Sequence, residues 1–115
     1  MADNQRWRER VAISADAHAA GDSHVESVTR GLTDLRASGT VTAESVRQVF
    51  LDEGFPAQSI ATLGDRGNVG FGVTVSSPSQ ESTACLFGVV GPNGVSVDVG
   101  GPIMDGGCLE GLGGH

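Results

Sequence analysis

The chain predicts an α+β domain. Two N-terminal helices pack on one face of a three- to four-stranded antiparallel meander, and a disulfide between Cys85 and Cys108 can close the C-terminal segment. Three observations carry this expectation. Apolar residues recur at helical spacing up to about residue 53 and alternate strictly with small or polar residues afterwards. Gly, Pro and Asn clusters punctuate the alternating runs. Helical and extended stretches are segregated along the chain, which favours helices layered on an antiparallel sheet over a βαβ weave.

Residues 1–21 read as a lead-in or tether, partly helical, in which Asp3 caps a helix through Trp7, Val11 and Ala15 that ends at Gly21. The alanines at 12, 15, 17, 19 and 20 offer little surface to bury, so docking through Trp7 is the expected contact. Residues 22–111 form the single domain, and residues 112–115 a flexible tail. Its first helix spans 23–38. Val25, Val28, Leu32 and Leu35 share one face, Ser23 and Glu26 have capping-box spacing, and Gly39 suits a left-handed stop.

The second helix, 43–53, has the most agreeing signals. Thr42 is a good N-cap, and Val41 and Val46 have the spacing of a hydrophobic staple. Val46, Val49 and Phe50 make its buried face. Gly54 stops it, Phe55 folds back on Phe50, and Pro56 forbids resumption.

Ile60, Thr62 and Leu63 then suggest a short strand, and Gly64 to Asn68 a turn. Val69, Phe71, Val73 and Val75 alternate with Gly70, Gly72 and Thr74 in the first long strand. Residues 83–90 form the next, with Cys85, Phe87 and Val89 on one face and Leu86, Gly88 and Val90 on the other. Pro92-Asn93-Gly94 turns the chain into Val95, Val97 and Val99. Gly70, Gly72 and Gly88 leave side-chain-free sheet surface, which seats a helix or receives a partner strand or flat ligand.

With 115 residues the chain holds one small core. Its net charge is −7, and all seven basic residues are arginines, three of them at positions 6, 8 and 10. That balance disfavours nucleic acid, whose phosphates need clustered cations. No run approaches the ~20 apolar residues of a membrane span. The opening residues lack the charged start and apolar centre of an export signal, so a signal or lipid anchor is expected upstream if the domain is exported.

Candidate chemistry is sparse. Two cysteines are compatible with one bridge, which the chain-entropy model values at about 3 kcal/mol. Two unlinked thiols, with Cys85 simply buried, is the alternative. No Cys-x-x-Cys pair, Gly-x-Ser-x-Gly elbow or phosphate-binding glycine loop leading into a helix is present. Asp16, His18, Asp22 and His24 stand at no recognised ligand spacing and read as solvated polar residues. His115 is the terminal residue, and Asp52 and Glu53 are adjacent carboxylates on a solvated helix end. No catalytic residue, metal or cofactor is therefore assigned.

Cys85-Leu86-Phe87-Gly88-Val89-Val90-Gly91, Gly54-Phe55 after a short helix, and Pro102 through Gly107-Cys108-Leu109-Glu110-Gly111 together resemble an uncharacterised family of small actinobacterial secreted proteins and lipoproteins. The resemblance covers residues 43–111. It implies export, often a lipid anchor, and the Cys85–Cys108 bridge, and it implies no activity. The function expected is a non-enzymatic extracytoplasmic domain, at the cell envelope or secreted, that binds a protein or small ligand. The alternatives are a small enzyme or cofactor-binding domain with a cleft between helices and sheet, using Cys85 or a carboxylate, and an assembly or inhibitor subunit working through a strand edge or Trp7.

Overall fold

A computed structural model describes residues 13–75, 84–102 and 108. Three helices, α1 (Ala15–Asp22), α2 (Val25–Ser38) and α3 (Ala43–Asp52), precede a 3-10 turn at Ala57–Ser59. The strands β1 (Ile60–Asp65), β2 (Asn68–Val75), β3 (Ala84–Gly91) and β4 (Gly94–Gly100) follow. They form one antiparallel meander in the order β1-β2-β3-β4. The expected α+β architecture is thus present, with four strands.

Alternation along β2 and β3 decides which face meets the helices. Val69, Phe71, Val73 and Val75 of β2 lie opposite Val90, Gly88, Leu86 and Ala84 of β3. All the apolar members of this row are buried, together with Val28 and Leu32 of α2 and Val46 and Phe50 of α3. Phe50 and Phe71 pack with ring centroids 5.0 Å apart, joining α3 to the middle of the sheet. Fully burying side chains of this size is worth about 1.5–3 kcal/mol each, so this layer dominates stability.

Helix α3 follows its local signals closely. Thr42 Oγ1 accepts from the Ser45 amide at 3.0 Å, and Ser45 Oγ accepts from the Thr42 amide at 2.8 Å, a reciprocal capping box. Val41 and Val46 are both buried, as a staple requires. At the other end Gly54 takes φ +101°, and the Gly54 and Phe55 amides donate to Leu51 O and Phe50 O. That is a Schellman stop, and the Phe50 and Phe55 rings meet at 6.0 Å. Thr42→Ala removes one half of the box and should cost about 1 kcal/mol. A urea melt should show the midpoint fall with no change in slope.

Three sequence expectations need correction. Ser23 and Glu26 do not form a capping box. Ser23 closes α1, donating its hydroxyl to Ala20 O at 2.8 Å, and His24 takes the N-cap position of α2 without a side-chain bond. The turn between β1 and β2 is narrower than Gly64 to Asn68. Leu63↔Gly70, Gly64↔Val69 and Asp65↔Asn68 are paired, leaving only Arg66 and Gly67 in the loop. Gly88 lies on the helix-facing side and does not share a surface with Gly70 and Gly72.

The last part of the lead-in is helical. Ser14 caps α1 by accepting from the Ala17 amide at 3.1 Å. Ala17 and Gly21 are buried, and a Cβ on Gly21 would stand 2.8 Å from Val99 Cγ1. The small residues that promised little burial instead let α1 approach the sheet closely. Asp3, Trp7 and Val11 lie outside the described residues, as do residues 109–115.

Two arginines fasten the layers. Arg36, near the end of α2, donates to Gly91 O at 2.8 Å and to Pro92 O, holding the β3–β4 hairpin turn. Arg47 of α3 donates to Ile60 O and Ala57 O, each at 3.1 Å, fixing the entry to β1.

Candidate functional site

Cys85 lies on the face of β3 turned away from the helices, between Thr74 of β2 and Gly100 of β4. It is fully buried and bonded to Cys108, with Cα atoms 5.5 Å apart. Thr74 Oγ1 stands 3.5 Å from Cys108 Sγ. Cys108 is therefore held at the far face of the sheet. No described cysteine is free, so Cys85 is unavailable as the nucleophile of a small enzyme. The contact role assigned to Trp7 falls outside the described residues.

A shallow cleft opens where α2 begins, beside the α3–β1 connection and the end of β2. His24, Glu53, Phe55, Ser59 and Thr74 line it, around about 270 Å³. The Schellman stop at Gly54 builds its wall by turning Phe55 inward, where its ring lies 4.8 Å from the His24 ring. Glu53 accepts from Ser27 Oγ at 2.9 Å, linking α3 to α2. Ser59 spends its hydroxyl on Pro56 O at 2.8 Å. Neither hydroxyl in the cleft is bonded to His24, so no nucleophile–base pair is assembled there. Small-molecule sites generally enclose about 300–1,000 Å³, and this cleft falls just short of that range.

The other candidate groups stay apart. Asp52 accepts from Gln48 Nε2 at 2.8 Å along its own helix, while Glu53 turns to Ser27, so the adjacent carboxylates do not work as a pair. Asp16, His18 and Asp22 are exposed on α1. Among the described residues no three His, Cys, Asp or Glu side chains converge on a metal position. His115 lies outside them. Sequence reasoning missed His24 as a cleft wall and both arginine clamps. The position of Arg36 in the last turn of α2 was the one available signal, because cations there favour carbonyl partners.

No protein-family model, curated protein or solved structure matches the chain. No helix among the described residues is long and apolar enough to cross a membrane.

Proposed function

We propose that this chain is a small extracytoplasmic domain, at the cell envelope or secreted, that binds another protein or a ligand and performs no chemistry itself. The observation carrying the reading is the Cys85–Cys108 disulfide, buried at Cys85 and closing a span of 23 residues. Structural bridges persist in oxidising compartments and are rare where thiol reductants circulate. The resemblance of the segments around Cys85 and Cys108 to secreted actinobacterial proteins and lipoproteins points the same way. The binding half of the reading draws on a shallow cleft without an activated nucleophile and on an acidic chain of net charge −7.

Alkylation of intact cells that produce the protein, followed by fractionation and mass spectrometry, tests it. The chain should appear in the extracytoplasmic fraction with both cysteines protected until a reductant is added. Recovery from the cytosol with two alkylated thiols would sink the reading.

A further inference from the structure

The meander leaves two sheet edges, and they are built differently. At β1 the Arg47 guanidinium already occupies the Ile60 carbonyl, Gly64 takes φ +127° within the strand, and charged Arg66 follows in the turn. Such features blunt an edge against strand addition. Strand β4 has no such clamp; its positive-φ glycine, Gly94 at +135°, stands at its first residue beside the hairpin turn, and its single charge is Asp98. It runs seven residues, Gly-Val-Ser-Val-Asp-Val-Gly, paired with β3 residue for residue and free of Pro, Lys and Arg. Among the described residues nothing outside the β3 ladder donates to or accepts from the backbone of Gly94–Gly100. Helices α1 and α2 pack against β4, α1 meeting it at Val99 on the side of Val95 and Val97.

We infer that the outer edge of β4 receives an extended segment of another protein whose basic and β-branched residues alternate. The inference rests on the binding-module reading and names its partner chemistry. Strand addition gains affinity from backbone hydrogen bonds and specificity from alternate side chains. On the helix side the added strand continues the half-buried row Val95, Val97 and Val99, which suits β-branched residues. On the other side it meets exposed Ser96 and Asp98. Among the described residues Asp98 has no ion-pair partner, and Asp16 and Asp22, exposed on α1 across the sheet, add only to the general negative field. Arg36, which reaches the turn before this strand, is spent on the hairpin carbonyls. With a net charge of −7, an acidic strand or a second copy of this chain is repelled where a basic strand is drawn in.

The probe is a capped heptapeptide of alternating lysine and valine, added to the oxidised full chain. Its controls are the same peptide with glutamate for lysine and the lysine peptide with every backbone nitrogen methylated. Hydrogen exchange should slow several-fold in Val95–Gly100 and not in Ile60–Asp65. The glutamate and N-methylated peptides should bind at least ten-fold more weakly, and Asp98→Asn should weaken the lysine peptide a few-fold with an unchanged melting curve. Equal binding of the N-methylated peptide, or protection away from β4, would overturn the edge assignment and leave the module reading standing. So would sedimentation showing that the free protein dimerises with β4 already protected, because the occupant would then be a second copy. Failure of the module reading shows separately, in the thiol-trapping experiment.

Discussion

Gly88→Ala is expected to cost about 3 kcal/mol or more, at the upper end of overpacking penalties. A Cβ at this position would overlap the Ser96 carbonyl oxygen, far inside van der Waals contact, and stand 2.8 Å from the Ser96 carbonyl carbon and 3.2 Å from Phe71 Cζ. Two of these three atoms belong to the β4 backbone, so no rotamer change relieves the contact. Either the β3–β4 ladder opens or β4 shifts, and a shift drags Val95, Val97 and Val99 off the helices. Phe71 is fully buried against Phe50, so the ring cannot yield cheaply either. A loss of this size lowers the melting temperature of a small domain by roughly 12 °C or more. Gly91→Ala is the matched control. It lies in the same strand, and its added methyl would meet only ordinary contacts, Asn68 Oδ1 at 3.5 Å and Val89 Cγ2 at 4.0 Å. Chemical denaturation of the two variants should separate them by at least about 2 kcal/mol, given the penalty range for overpacked sites. Equal midpoints would mean that β4 adjusts freely against β3 and that the tight approach at Gly88 has no energetic weight.

Nothing in the local sequence marks the close approach at Gly88. Gly70, Gly72 and Gly88 look alike as interruptions of valine-rich strands, and it is the register of β3 against β4 that brings the Ser96 carbonyl onto Gly88. Helix α3 is the opposite case. Its cap, staple, stop and back-folded phenylalanine are all encoded within sixteen residues, from Val41 to Pro56, so short-range rules suffice to place it. Ser23 shows how such rules fail. The same hydroxyl can cap the helix after it or close the helix before it, and the close packing of α1 on Val99 and Ala84 decides for the second. The face assignment of Cys85 was legible because period-two alternation is unambiguous once Phe71 and Leu86 must point inward. The cleft at His24 was not, because it joins residues from α2, the α3–β1 connection and β2 that are up to about fifty positions apart.

Removing the bridge should cost about 3 kcal/mol, whether by Cys85→Ala with Cys108→Ala or by reduction of the unmodified chain. The estimate follows from closing a 23-residue separation in the unfolded state. It is a large share of the ~5–15 kcal/mol that holds a typical domain together. The two routes test different things. Alanine at position 85 also leaves a void at a fully buried site, whereas reduction keeps both sulfurs in place. If cross-linking dominates, the urea midpoints of the reduced protein and the double variant should nearly coincide. A much larger loss in the variant would assign the effect to packing, and an unchanged midpoint on reduction would remove the structural role altogether. The location of the loss is also fixed in advance. Arg36 holds the hairpin end of β3–β4 through Gly91 O and Pro92 O, and Cys85 lies opposite Gly100 at the far end. Each end of the ladder thus has its own fastening, and reduction releases only one. Hydrogen exchange should accelerate at Val99 and Gly100 while Val95 keeps its protection. Arg36→Ala should do the reverse, freeing the turn and leaving Gly100 protected by the intact bridge.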